Sequence, residues 1–429
     1  MSIKILATGD LHIGQKVSGL PENAGSFSAR DTWKRIVEWS IENQADVIAL
    51  TGDIVDRDNR FFEAIGPLQS GFARLKENDI QVYIVSGNHD FDVLPQIIRS
   101  GKLDNVHLLG AGGVWELKTF SKGSEAVQFA GWSFPSQYVR EDPLKLFNLY
   151  DIDPDIPSIG LLHGEANTPL SSYAPINPAN FMNLKVSIWI LGHIHKPQVL
   201  NNAAPYICYP GSPLAFSSKE TDMHGPLLIT VSQGLIGKPE RILVSPVRFE
   251  NLMIDITGSD SEENLRRTLF SGIIEKADSM DQELQEVVYL VYDITLTGAH
   301  NNIRLIESWS HGLAEDFEHE TAFRTKIIVR NVGFDIQPGI RNLEELAAQN
   351  SPLGILAQTI LAIKQNRDTD FLKQLYDDWK EKYSLINAKD TYLPLNKGKE
   401  SDNDMEATGK QYILKESARL LGELLHQKN

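Results

Sequence analysis

Gly87-Asn88-His89-Asp90 constrains this chain more than any other stretch. It comes one residue, Ser86, after Gln81-Val82-Tyr83-Ile84-Val85, a short and mostly apolar run that predicts a buried strand. A strand that empties into Gly-Asn-His-Asp brings an amide, an imidazole and a carboxylate to one strand end. In open α/β sheets that edge is where ligands bind. Four more polar clusters follow predicted strands in the same way. Gly9-Asp10-Leu11-His12 follows residues 3–7, and Gly52-Asp53-Ile54-Val55-Asp56-Arg57 follows 47–50. His163-Gly164 follows 159–162, and Gly192-His193-Ile194-His195 follows 187–191.

Between the first three strands lie helical patterns. Trp33, Ile36, Val37 and Ile41 keep helical spacing over 29–43, and Phe61, Ile65, Leu68, Phe72 and Leu75 share one face of the next helix. Pro67 inside that second pattern starts or kinks the helix. The order β-α-β-α-β implies a parallel sheet with right-handed crossovers. Strand signals at 114–118, 126–131, 205–209, 227–231 and 241–244 predict a second sheet packed on the first.

A chain of 429 residues exceeds one ordinary core. The expected fold class is therefore α/β: a two-sheet sandwich flanked by helices, a smaller α+β cap, and a helical C-terminal tail. The boundaries read as residues 1–246 for the sandwich, 247–340 for the cap and 341–396 for a helical region. Residues 397–410, charged and poor in apolar side chains, read as a linker. Residues 411–429 form an amphipathic helix with Leu414, Ala418, Leu421 and Leu425 in one stripe. An isolated helix of that length is marginal in water, so it must dock back, pair with a second copy of the chain, or meet a partner.

Cys208 is the only cysteine, which excludes an intrachain disulfide and a cysteine-cluster metal site. No apolar stretch reaches the length a bilayer requires, and a cytoplasmic protein without a membrane segment is the expectation. The formal charge of −16 argues against holding nucleic acid by bulk electrostatics, although a local basic stripe would escape that sum.

The clusters carry specific chemistry. Asp10 and His12 are two apart on extended chain and point to one side, and His193 and His195 repeat the arrangement. With Asp53, Asn88 and His163 they make seven potential ligands, all oxygen or imidazole nitrogen. That mixture suits manganese, iron or zinc better than calcium or magnesium. Seven donors are too many for one tetrahedral site and suit two ions sharing a carboxylate, with Asp53 as the natural bridge. Two ions about 3.5–4 Å apart clamp an in-line displacement at phosphorus. His89, beside Asn88 but not needed as a ligand, is the candidate proton donor to the leaving oxygen. Asp56 could hold that imidazole and favour its charged form, and Arg57 could reach a phosphate oxygen. Asp56 and Arg57 suit capping of the next helix equally well.

These five clusters, in this order, resemble the motifs of the calcineurin-like metallophosphoesterase superfamily. Within it, Tyr209-Pro210-Gly211-Ser212-Pro213 after the last histidines is similar to the SbcD/YhaO-type DNA repair exonucleases. The small domain resembles their DNA-binding cap by layout. The resemblance implies one ion on Asp10, His12, Asp53 and His195 and a second on Asp53, Asn88, His163 and His193. It also implies a manganese-dependent DNA exo/endonuclease partnered by an SMC-like coiled-coil ATPase, with the terminal helix as the docking element. Candidate basic residues for DNA are Arg266, Arg267, Arg304, Arg324, Lys326 and Arg330, which are scattered in sequence.

Two other functions compete. One is a small-substrate member of the superfamily, a cyclic-nucleotide phosphodiesterase or a phosphoprotein phosphatase. Asp90 where phosphatases have Glu, and Asp58 where they have Gly after Asp-Arg, speak against the phosphatase. The other is a scaffold that tethers an ATPase, against which the intact ligand set speaks. Trp132, Trp189 and Tyr209 read as core or pocket wall, and His224 as an ordinary histidine.

Overall fold

The computed structural model describes residues 2–20, 26–57, 63–101, 103–300, 302–312, 317, 319–338, 343–387 and 402–426. The chain forms two compact units. Residues 1–251, 277–293 and 317–330 make the first, and residues 252–276, 294–316 and 331–429 the second.

The first unit opens with β1 (Ser2–Thr8), α1 (Ala29–Glu42), β2 (Val47–Thr51), α2 (Ile65–Glu77), β3 (Gln81–Val85), α3 (Leu94–Gly101) and β4 (Val106–Leu108). β1 to β4 pair in parallel in that order. Ser28 caps α1 by accepting the Asp31 backbone N–H. Pro67 is the third residue of α2, where its missing N–H would have had no helical partner, so it starts the helix and does not kink it. Phe61 of the expected helical face lies outside the described residues.

The second sheet holds β5 (Glu116–Lys122), β6 (Glu125–Trp132), β7 (Ser158–His163), β10 (Ile188–Gly192), β11 (Gln198–Asn201) and β12 (Tyr206–Tyr209), in the order β11-β12-β10-β7-β6-β5. A separate short pair, β8 (Glu165–Ala166) and β9 (Pro175–Ile176), follows β7. The strand expected here from residues 227–231 belongs elsewhere. β13 (Leu227–Ser232) runs antiparallel along the free edge of β1 in the first sheet, with β14 (Leu235–Ile236) and β15 (Glu240–Arg241) beyond it. There Leu227, Ile229 and Val231 extend the apolar face that β1 already presents.

Strand alternation builds two cores from one sheet. Ile3, Ile5, Ala7, Ala49 and Val85 meet Phe129, Ile159, Leu161 and Ile190 between the sheets. Leu6, Ile48, Leu50, Val82 and Ile84 point the other way, onto Trp33, Leu68 and Phe72 of the helices. Burial on both faces is why these strands read as continuous apolar runs.

A third sheet, in the order β16-β17-β19-β18, contains β16 (Val247–Asp255), β17 (Tyr289–His300), β18 (His319–Glu320) and β19 (Lys326–Pro338). α4 (Glu262–Asp278) and α5 (Ile303–Ser310) lie between its strands in sequence. The division of the chain falls inside its three long strands, whereas the sequence predicts one boundary at 247.

The second unit ends in α6 (Leu343–Ala347), α7 (Pro352–Lys364), α8 (Asp370–Asn387) and α9 (Asp402–His426). The expected linker at 397–410 is corrected here: it is helical from Asp402 onward, and 397–401 lie outside the described residues. Its charges include an i,i+4 pair of helical spacing, Glu406 with Lys410 at 2.7 Å. The apolar stripe of α9 is not open to a partner either. Ala418 and Leu421 are buried against Leu353, Ala357 and Ile360 of α7, with Leu414 and Leu425 alongside. Leu421 is fully buried, so Leu421→Ala should cost about 2–5 kcal/mol, read as a lowered urea midpoint of the helical circular-dichroism signal. Among the described residues no helix is long and apolar enough to cross a membrane.

Candidate metal centre

The parallel strands bring the predicted residues together at their C-terminal ends. Asp10 and His12 follow β1, Asp53 follows β2, Asn88 follows β3, His163 ends β7, and His193 and His195 follow β10. The turns that deliver them are strained. Asp10 (φ 51°), His12 (φ 46°), Asp53 (φ 51°) and His193 (φ 100°) all occupy the left-handed region. Such residues cost on the order of 1–3 kcal/mol each and cluster at functional sites. Local bonds hold them there. Asp10 N–H donates to the Gly52 carbonyl at 2.9 Å, His12 N–H to the Asp53 carbonyl at 3.0 Å, and His193 N–H to Asp10 Oδ1 at 2.9 Å. Gly87 must be glycine for space, since a Cβ there would lie 2.2 Å from Asp53 Oδ1.

Three groups of donors result. Asp10, His12 and His195 form the first, Asp53, His163 and His193 the second, and His12, Asp56 and His89 the third, with the ligand atoms of each group within 4.8 Å of one another. Asn88 Oδ1 joins the second group, 3.1 Å from His163 Nε2. Asp53 Oδ2 lies 3.3 Å from His163 Nε2 and 3.9 Å from His12 Nε2, so this carboxylate stands between the groups. Its Oδ1 accepts the His89 backbone N–H at 2.8 Å.

Hydrogen bonds fix one nitrogen of each of two imidazoles as a donor. His163 Nδ1 donates to the Thr51 carbonyl at 2.9 Å, which turns Nε2 towards two oxygens, those of Asn88 and Asp53. His195 Nδ1 donates to Glu220 Oε1 at 2.9 Å, so its Nε2 faces His12 Nε2 at 3.0 Å. Nε2 atoms turned on such partners meet them through a proton or a bound cation. Burial disfavours charge on His163, yet Asp53 and Asp10 outweigh it and push this imidazole up to about 9. Burial and the charge of His163 press His193 down to about 3, leaving it neutral and able to ligate. Carboxylate, amide and imidazole donors without thiolate fit two divalent ions of the manganese, iron or zinc kind.

His89 and Asp56 belong to the third group, which shares His12 with the first. His89 Nε2 is 4.0 Å from Asp53 Oδ2, and its Nδ1 is 3.8 Å from Asp56 Oδ1. Burial opposes charge on His89, but Asp56 and Asp53 raise its pKa overall. Asp56 Oδ1 also lies 3.5 Å from His12 Nδ1 and accepts the Gln15 amide at 2.7 Å. It does not cap the next described helix, which starts at Ile65 with no side-chain cap bond at Ala64.

Two carboxylates, buried Asp90 and half-buried Glu220, have roles that sequence reasoning does not assign. Asp90, the last residue of the opening motif, accepts N–H groups from Gly87 (2.8 Å), Ile54 (2.7 Å) and Val55 (3.3 Å). It thereby ties the loop of Asp53 to the loop of Asn88, and burial together with Asp53 pushes it up to about 6. Its place in the motif is the only signal for it. Glu220, behind His195, has none. Of the basic candidates for DNA, Arg266 is paired with Glu262 at 3.1 Å and Arg330 with Asp293.

A two-sheet sandwich gathers Asp, His and Asn from five strand ends into a site suited to metal ions. Residues 3–197 match the calcineurin-like phosphoesterase family, and the chain carries a metallophosphoesterase domain of that family. Among curated relatives, the uncharacterized metallophosphoesterase YhaO of Bacillus subtilis is 29% identical over 267 residues, 59% of this chain and 64% of the relative. The DNA double-strand break repair protein Mre11 of Methanopyrus kandleri is 21% identical over 304 residues, 65% of each chain. A subunit of the nuclease SbcCD of Bacillus subtilis is 23% identical over 256 residues, 51% of this chain and 63% of the relative. The chain thus spans just under two thirds of the length of each of these relatives.

Proposed function

We propose that this chain is a two-metal phosphodiesterase that cuts DNA, as an exo- or endonuclease in DNA repair, with manganese as the working ion. The observation that carries the two-metal part is the position of Asp53 Oδ2 between the first and second donor groups. Relatives named for double-strand break repair and for nuclease activity support DNA as the substrate. In this reading residues 1–246 catalyse and residues 247–340 form a cap that faces DNA.

Asp10, His12, Asp53 and His195 would hold one ion, and Asp53, Asn88, His163 and His193 the other. When bound, the ions supply an acidified water and positive charge for the phosphoryl oxygens. His89 holds the proton for the leaving oxygen at Nε2, the nitrogen that faces the centre, while Asp56 faces Nδ1 and favours the charged ring. Asp90 keeps the two loops of the centre at fixed separation through its three N–H bonds. One relative is named as a subunit of a nuclease, which supports a partner chain; the motif resemblance makes that chain an SMC-like coiled-coil ATPase. That partner would dock away from the α9 stripe, which α7 already covers.

The test is the purified chain with and without manganese on linear double-stranded and single-stranded DNA, on bis(p-nitrophenyl) phosphate and on cyclic nucleotides. Manganese-dependent cleavage of DNA, with cyclic nucleotides left intact, is expected. Rapid hydrolysis of cyclic nucleotides with DNA untouched would overturn the nuclease reading in favour of a small-substrate enzyme.

A further inference from the structure

The Tyr209-Pro210-Gly211-Ser212-Pro213 stretch supplies no donor to either metal group, yet it passes directly behind both. Tyr209 is 1% exposed and uses both functions of its phenol. Its hydroxyl donates to the Gly164 carbonyl at 2.8 Å and accepts the Ala166 N–H at 2.9 Å, which pins the chain that leaves His163. Two residues on, the same stretch meets His195. Gly211 (φ +78°) passes so close that a Cβ would lie 2.4 Å from the His195 carbonyl, and Ser212 N–H donates to that carbonyl at 3.0 Å. The chain then turns back and brings Glu220 under the ring. Glu220 Oε1 accepts from His195 Nδ1 at 2.9 Å, and Oε2 accepts the Phe216 N–H at 2.7 Å and the Ser212 hydroxyl at 3.3 Å. The turn itself is braced by His224 Nδ1 donating to the Ser212 carbonyl at 2.6 Å and by Arg241 donating to the Pro210 carbonyl at 2.8 Å.

We propose that this segment is a positioning element with two arms, one for each metal: Tyr209 sets the His163 side and Glu220 sets His195. The inference rests on the two-metal reading above for what those ligands hold. A carboxylate on Nδ1–H fixes the tautomer that leaves Nε2 free to ligate, and loss of such a partner typically costs about 10–100-fold in metal affinity. A buried phenol with two backbone partners cannot lose its hydroxyl without leaving a carbonyl and an N–H unpaired beside His163. Tyr209 holds the backbone that follows His163 and Glu220 holds the ring of His195, so their effects should separate.

The test uses the full chain and three variants, Tyr209→Phe, Glu220→Ala and Glu220→Gln. Manganese affinity is measured by calorimetric titration of metal-free protein, and the histidine tautomers by long-range proton–nitrogen NMR of the same sample. Glu220→Ala should weaken one of two manganese equivalents about 10–100-fold and shift the His195 signals, with those of His163 unchanged. Tyr209→Phe should weaken the other equivalent and shift His163 alone. Glu220→Gln, which keeps an acceptor for Nδ1–H, should restore most of the affinity and the His195 tautomer. If Glu220→Ala does not fold, Tyr209→Phe decides: a weakened single equivalent with the His195 signals unchanged supports the proposal, and wild-type affinity overturns it. Equal weakening of both equivalents by each variant would also overturn it, as would no weakening at all. Neither readout uses DNA, so a failure to cut DNA would fall on the nuclease reading alone. A wild-type chain taking up fewer than two equivalents would remove the two-metal reading, and this inference with it.

Discussion

Asp53→Ala should abolish hydrolysis of DNA and of bis(p-nitrophenyl) phosphate alike, and the purified variant should lose more than one equivalent of metal. Asp53 Oδ2 is 3.3 Å from His163 Nε2 and 3.9 Å from His12 Nε2, so its loss strips both donor groups at once. The other oxygen holds the backbone of His89 at 2.8 Å, and the loop of His89 loses its anchor as well. The drop should therefore exceed the roughly 10–100-fold that follows loss of a residue behind a single ligand. Burial favours the neutral acid, but the imidazoles of His163, His12 and His89 outweigh it and keep Asp53 ionised far below the usual carboxylate range. Asp53→Asn, which keeps the shape and removes the charge, should lose metal nearly as completely. Metal analysis that finds two ions still bound in Asp53→Ala would take Asp53 out of the bridging position.

The centre was legible in the sequence because each donor sits within a few residues of a strand end, and those strands are apolar runs buried on both faces. Local pattern carries element type and strand direction. It does not carry the edge a strand will choose. Residues 227–232 alternate as a half-buried strand should, yet nothing local directs them to β1 in preference to the second sheet. The same gap hides Glu220, whose bond to His195 spans 25 residues, and the bonds of Asp90 to Ile54 and Val55 across 36 and 35. Residues 402–410 mislead in another way. Their polar composition resembles a linker, while Glu406 and Lys410 pair as neighbours on a solvated helix face. The stripe of α9 was visible, but its partner was not, because α7 offers its apolar face far earlier in the chain with no local mark of the pairing.

His89→Ala should retain both metals and lower turnover about 10²–10⁴-fold, the range typical of a lost general acid. The ring lies beside the donor groups, with Nε2 4.0 Å from Asp53 and Nδ1 3.8 Å from Asp56, and 31% of the side chain is open to an arriving substrate. Because Asp56 and Asp53 outweigh burial and raise its pKa, the ring is biased towards the protonated form that a leaving oxygen needs. The deficit should shrink on an ester whose leaving group is a nitrophenolate, since that anion departs without a proton. Asp56→Asn should act through the same ring. Without the carboxylate the pKa of His89 falls, and the pH at which turnover declines on the alkaline side moves lower. Loss of metal from His89→Ala would make the residue a ligand, and equal losses on both substrates would make it a stabiliser of phosphoryl charge in place of a proton donor.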